Sequence, residues 1–287
     1  MSEQNPAREL LRVVPIAWPT LGLAVLALAV WVAAVGLGAM AIISPWLAMG
    51  LATLAGYAAF TPMHDASHRS VTRARWPNEL VGRLMAVVLM APFPAFRWLH
   101  LEHHRRTNEP EHDPDFWSGG GAVWTLPLRW LTQDLHYYYR YFRAMRLRPK
   151  AEVVEAAVTL IALHALAGAI AMAGYGTEVL LFWLIPTRLA LGMLAFAFDF
   201  LPHHPHSVPA SEDRFQATGV LPSRWLTPLL ISQNYHLVHH LYPGVPFYRY
   251  GRVWWSRRDQ LIAKGARVGF GAMRSTSLLL DSHSALE

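Results

Sequence analysis

Residues 13–63 contain not one Asp, Glu, Lys, Arg or His, a run of 51 uncharged positions. A single membrane-spanning helix needs only about 20 apolar residues, so the run has room for two. A reversal near Ser44 and Pro45 divides it into spans near 16–38 and 45–63, and Trp18 and Trp46 fall where interfacial anchors belong. A cleavable signal sequence is excluded, because its apolar core is only about 7–15 residues long. A second pair of spans reads at about 156–173 and 179–198, joined by Gly174, Tyr175, Gly176, Thr177 and Glu178. Between the pairs, the apolar stretch 84–96 is too short to cross and contains Pro92 and Pro94; it is expected to lie in the interface or to re-enter.

Four spans return both termini to one side, and basic residues identify that side as the cytoplasm. Arg69, Arg73 and Arg75 follow the second span, and Arg140, Arg143, Arg146, Arg148 and Lys150 precede the third, whereas the two outer turns contain no Lys or Arg. The expected fold is an all-α integral membrane protein with four transmembrane helices. A cytoplasmic helical cap, built from residues 64–152 and 200–287, carries the histidine clusters, and both termini are cytoplasmic. Residues 13–273 read as one membrane domain between mobile tails at 1–12 and 274–287. Only 15% of the residues are charged, against roughly a quarter in soluble domains, which argues against a purely soluble globule. The net charge of +6 is too segregated along the chain to indicate a nucleic-acid partner.

The chain has no cysteine, which excludes disulfides, thiolate zinc sites, iron–sulfur clusters and cysteine nucleophiles. Any metal must be held by His, Asp, Glu or backbone oxygen. Of the 15 histidines, His64 and His68 form HxxxH, His100, His103 and His104 form HxxHH, and His236, His239 and His240 form HxxHH again. Chance would supply roughly 0.04 copies of HxxHH in a chain of this histidine content. Residues at i, i+3 and i+4 share one face of a helix, so each cluster can direct several imidazoles at one point. Eight nitrogens could surround one or two metal ions, and their number favours two; imidazole suits Zn, Cu, Fe and Ni alike. HxxxH alone would be equally consistent with two ordinary interfacial histidines.

A fourth cluster follows the last span, with Asp199, His203, His204 and His206 in FDFLPHHPH. Asp199 and His203 are four apart and could face the same centre if helix continues past Pro202; His204 and His206 are left outside the ligand set. Glu109, Glu111, Asp113 and Asp115 could orient imidazoles through hydrogen bonds, or simply form a capped acidic loop. His136, His164 and His283 have no partner pattern, and the Trp and Phe residues around 93–98 and 182–183 read as packing or interfacial anchors.

On the phrases HDASHRS, HLEHHRRTN, FDFLPHHPH and QNYHLVHHLYPGVPFY, spanning roughly residues 57–257, the sequence resembles the membrane fatty-acid-desaturase superfamily. Within it the similarity is greatest to the cyanobacterial-type β-carotene ring hydroxylases. The resemblance implies a di-iron centre at the cytoplasmic membrane face. His64, His68, His100, His103, His104, His236, His239 and His240 would be its ligands, His203 a ninth, and Asp199 a polar or water-mediated contact. It also implies two non-haem iron ions, dioxygen as co-substrate, and oxygen-dependent attack on C–H bonds of a lipid-like substrate, hydroxylation of a carotenoid ring being the leading case. Acyl-lipid or acyl-CoA desaturation is the main alternative, with carotenoid ketolation or metal transport behind it. With no cysteine cluster and no glycine-rich dinucleotide fingerprint, electrons would come from a separate donor such as ferredoxin.

Overall fold

The structure, a computed structural model, describes residues 9–269. Helix α1 (Trp18–Ala39) opens on Pro19, whose missing N–H and fixed φ suit a first helical turn. Its buried residues Thr20, Ala24, Ala27 and Ala34 form one narrow stripe of small side chains, while Val25, Leu26 and Val32 are exposed. That is the pattern of a helix facing lipid on most sides, where close backbone packing replaces hydrophobic burial. A tight reversal leads into α2 (Pro45–Ser67), capped by Ser44, which accepts from the Leu47 N–H at 3.2 Å. Gly38 stands where the two helices meet. A Cβ there would lie 2.7 Å from the Ala48 Cβ and 3.0 Å from the Phe182 ring, so the approach requires glycine. The reversal falls where Ser44 and Pro45 placed it, but α2 does not stop at Met63; it continues through Pro62 to Ser67 and carries His64 in its last turn.

The stretch 84–96 is the junction of α3 (Arg75–Val88) and α4 (Phe93–Arg106), which bend by 102° across the break between them. Pro92 and Pro94 stand at the start of α4, where proline is compatible with a helix beginning but not continuing. Helix α5 (Gln133–Arg143) precedes α6 (Lys150–Ile170) and the helical stretch 176–200, here α7. Between α6 and α7, Gly174 adopts φ 101°, and the chain folds back there. Leu163 packs in one cluster with Met90, and Thr187 Oγ1 donates to the carbonyl of Val88 at 3.4 Å. A straight helix would hold residues 163 and 187 about 36 Å apart.

Among the described residues, two stretches are long and apolar enough to cross a membrane, Trp18–Ala39 and the folded Lys150–Phe200; the bent α3–α4 pair makes a third if taken as one span. Helix α2, expected as a span, is not among them. Its Thr, Tyr, Gly and Pro residues lower its hydropathy, and its second half is buried inside the protein.

The main core lies among α1, α2, α3, α4 and α7, around Met63, Met85, Leu89, Phe93 and Phe198. A second core is built by α8 (His236–Leu241), α9 (Tyr250–Ala263) and the parallel pair β1 (Gly219–Val220) and β2 (Arg267–Val268). Leu10 and Leu11 pack against it, and Arg249 Nη1 donates to the Arg12 carbonyl at 3.3 Å, so the described part of the N-terminal tail is docked. The tail read at 274–287 lies outside the described residues. Helices α3, α4 and α6 are tied by a shared ion-pair cluster in which Glu79 meets Arg83 at 2.6 Å and Arg97 at 2.5 Å, and Arg83 meets Glu155 at 2.6 Å.

Candidate metal centre

The last turn of α2 supplies His64 and its C-cap supplies His68, α4 supplies His100, His103 and His104, the turn after α7 supplies His203, and α8 supplies His236, His239 and His240. All nine converge. Their ligand atoms form two groups, His64, His68, His100, His104 and His239 in one and His103, His203, His236 and His240 in the other, each within 4.8 Å. Each HxxHH box is divided between the groups in the same way. The i and i+4 residues stay together and the i+3 residue crosses to the other group, because a helix turns about 100° per residue and leaves i+3 and i+4 that far apart around the axis.

The Nε2 atoms face one another across each group. They lie 2.9 Å apart for His64 and His239, 2.7 Å for His68 and His100, 2.8 Å for His104 and His239, 3.0 Å for His203 and His236, and 3.3 Å for His103 and His240. Metal–imidazole bonds of about 2.0–2.1 Å place neighbouring ligand nitrogens of an octahedral or tetrahedral site about 2.9–3.4 Å apart, so the groups are spaced as ligands round an ion. Burial holds His100, His104, His236, His239 and His240 well below the ordinary imidazole range, which leaves lone pairs free to bind metal. Nine inward nitrogens cannot satisfy each other by hydrogen bonding alone. The donor set fits a pair of metal ions.

Three of the outer nitrogens are held by close neighbours, whereas the Nδ1 atoms of His64 and His203 are buried without a hydrogen-bond partner. With Nε2 turned inward, Nδ1 carries the proton and donates: His236 to Gln233 Oε1 at 2.8 Å, His239 to the Tyr250 hydroxyl at 2.9 Å, and His103 to Asp113 Oδ1 at 2.8 Å. Asp113 is itself fixed by the N–H groups of Asn108 at 2.7 Å and Asp115 at 2.8 Å. Burial pulls the His103 imidazole down, but the carboxylates of Asp113 and Asp115 more than offset it and raise it to about 9. Of the four acidic residues in this loop, these two act on the site; Glu109 pairs with Arg106 and His112, and Glu111 is exposed.

Asp199 enters neither group. Its carboxyl lines two adjoining spaces. One is an apolar cavity between α2, α4, α5 and α7, with Met63, Leu89, Leu99 and Leu194 in its wall. The other, a small space, is walled by His64, His100, His103 and His236, and Phe60, Phe96 and Tyr137 border both. On the cavity side, Asp134 forms a two-pronged ion pair with Arg188 of α7 at 2.6 and 2.5 Å.

The remaining histidines stand apart. His204 is exposed, His136 stacks on Trp117 with centroids 4.6 Å apart, and His164 Nδ1 donates to the Leu160 carbonyl at 2.8 Å. His283 lies outside the described residues. His206 is buried with neither ring nitrogen bonded, packed so closely on Gly119 that a Cβ there would lie 2.0 Å from its Nε2. Gln233 and Tyr250 carry no role legible from spacing. Gln233 is three residues before His236 and could have been found as its neighbour on the turn, whereas Tyr250 is brought to His239 only by the packing of α9. Asp65 is likewise a structural finding: fully buried, it accepts from Thr20 Oγ1 at 2.8 Å and from the Phe247 N–H at 3.3 Å, joining α1, α2 and the segment before α9.

The sequence profile described as fatty acid desaturase matches residues 40–271. The sn-1 oleoyl-lipid 12-desaturase of a Picosynechococcus species is 29% identical over 75% of this chain and 71% of its own length. That of a Synechocystis species is 31% identical over 66% of this chain and 61% of its own. A beta-carotene ketolase of a Paracoccus species is 30% identical over 72% of this chain and 74% of its own length.

Proposed function

The chain belongs to the fatty acid desaturase family and is a membrane oxidoreductase, and from that premise we propose that it oxidises C–H bonds of a lipid-like substrate with dioxygen at a di-iron site. The observation that carries this reading is the convergence of nine imidazoles in two groups beside the inner end of an apolar cavity. His64, His68, His100, His104 and His239 would hold one iron and His103, His203, His236 and His240 the other, with Asp199 a polar or water-mediated contact between site and cavity. The iron pair would supply the oxidising power toward an unactivated C–H bond that no side chain possesses.

The chain's own residues bind, shield and position. Met63, Leu89, Leu99 and Leu194 receive the apolar part of the substrate, and Phe60 and Phe96 bring the reacting carbon to the histidines while excluding water. Asp113, Gln233 and Tyr250 hold the imidazoles in the tautomer that presents Nε2. For hydroxylation, one C–H bond, one dioxygen, two electrons and two protons give one alcohol and one water. For desaturation the same inputs remove two hydrogens from adjacent carbons, leaving an alkene and two waters. The electrons come from a separate one-electron donor such as ferredoxin.

Hydroxylation of a carotenoid ring is the first reading, supported by the FDFLPHHPH and QNYHLVHH contexts. Acyl-lipid desaturation is the second, favoured by the oleoyl-lipid desaturase relatives, and the ketolase relative favours repeated oxidation at one carbon. In the membrane, α1, α2, α6 and α7 serve as four spans, with residues 64–152 and 200–287 and both termini on the cytoplasmic side. The deciding experiment is mass spectrometry of lipids and carotenoids from cells that make β-carotene, with and without the protein, under isotopically labelled dioxygen. Carotenoid carrying labelled hydroxyl oxygen is expected. Unchanged carotenoid beside acyl chains lacking two hydrogens would move the assignment to desaturase.

A further inference from the structure

The stretch between the second histidine box and α6 turns an apolar face outward. Trp124 is 84% exposed and Leu128, in the short helix Leu126–Leu131, is 67% exposed; Val123, Leu131, Leu135 and Tyr139 are exposed as well. In α5, Leu135 and Tyr139 stand one turn apart on one side of the helix, and Gln133, Asp134 and Tyr137, which line the apolar cavity, occupy the opposite side. None of the six outward residues is charged. Arg143, which donates to the Tyr139 hydroxyl at 2.7 Å, and Arg146 follow at the end of α5.

This stretch is fastened to α7 inside the span read at 179–198. Arg188 Nη1 donates to the Leu131 carbonyl at 2.9 Å and pairs with Asp134 at 2.6 Å. A Cβ on Gly192 would lie 2.8 Å from Leu131 Cδ2, and the Trp130 ring centroid is 4.9 Å from that of Phe196. Arg188 precedes Asp199 by 11 residues, which at about 1.5 Å per residue is about 16 Å along the helix. That is half of a hydrocarbon layer about 30 Å thick, a depth at which an arginine requires the partner that Asp134 supplies. Leu189, Met193 and Phe196 form an exposed row on α7, so apolar surface runs without a break from the span onto the outer face of 123–139. Outward Trp, Leu and Tyr with arginines at one end is the composition of a segment that lies in a membrane interface, and an exposed apolar patch of this extent marks an interaction surface.

We propose that the outer face of residues 123–139 is a membrane-docking surface, seated in the lipid of the cytoplasmic leaflet without crossing it. This inference rests on the reading of α7 as a membrane span. Arg143 and Arg146 then meet the lipid phosphates, which attract basic residues beside a membrane. Because the other side of α5 lines the cavity, leaflet lipid and cavity are separated by one helix, about 10–12 Å.

The chain has no cysteine, so single cysteines can be placed in the full-length protein and labelled with bimane. The variants are L128C and L135C on the proposed surface, L189C on the exposed row of α7, and E111C on the exposed acidic loop, each at a position where the side chain already stands open. Each is placed in nanodiscs of equal parts phosphatidylcholine and phosphatidylglycerol, and quenching by aqueous iodide is compared with quenching by a lipid carrying a nitroxide on its acyl chain. L128C and L135C are expected to be quenched by the lipid nitroxide, as L189C is, and to show iodide quenching at least about threefold below that of E111C. Iodide access at either position equal to that of E111C would overturn the proposal. So would shielding from both quenchers, which would mean that protein, a second copy or another chain, covers the face. Failure of the underlying reading has a different signature, iodide access and no lipid quenching at L189C itself.

Discussion

His103 alone among the site histidines faces two carboxylates, Asp113 and Asp115, and is raised where its neighbours are lowered. A histidine whose folded value lies above the ordinary 6.5 or so stabilises the fold fully below that pH and loses the contribution as pH rises through about 9. The melting midpoint of metal-free protein is therefore expected to fall between pH 6.5 and 9, and Asp113→Asn should flatten that slope. With metal present, Asp113→Asn and Gln233→Leu are expected to weaken metal affinity about 10–100-fold, measured by competition with a chelator. His103→Ala and His239→Ala should abolish product while the protein still reaches the membrane; retained turnover in either would remove it from the site. At this scale the sequence was most informative where spacing speaks, in the HxxxH and HxxHH boxes, and partly so for Asp113 and Asp115. It was silent on Tyr250, 11 residues beyond its partner His239, because only tertiary packing brings them together.

Among the elements, the α1–α2 pair shows what fixes the framework around the site. Gly38→Val would drive a branched side chain into Ala48 and Phe182, an overpacking that typically costs about 1–3 kcal/mol, so a lowered melting midpoint in detergent is expected. Gly36→Ala, at a position with open space around it, is expected to leave the midpoint unchanged or raise it. The helical hairpins were legible because uninterrupted apolar stretches and turn residues such as Ser44, Pro45 and Gly174 are local signals. The end of α2 was not. Apolarity stops at Met63, but the hydrogen-bonded helix continues to Ser67, since His64 and Asp65 find partners in other elements rather than in water. The division of each box between two groups follows from helical rotation, yet it could be assigned only once α4 and α8 faced each other.

For the whole molecule, the proposed arrangement puts both termini and the 64–152 segment on one side of the membrane and the Gly174 turn on the other. Tags at either terminus should be accessible from the cytoplasm and a tag at Gly174 from the opposite side; a C-terminal tag exposed outside would refute this topology. The apolar cavity was beyond reach of the sequence, because its walls come from four helices and its shape depends on how they pack. Nine ligands drawn from four separate segments also have a consequence for how the protein is made. His64 and His240 lie 176 positions apart, and at synthesis rates of about 5–20 residues per second the last box leaves the ribosome roughly 10–35 s after the first. Until then neither group is complete, so loading must be a late event in biogenesis, and chains halted before residue 236 should accumulate in the membrane without bound metal.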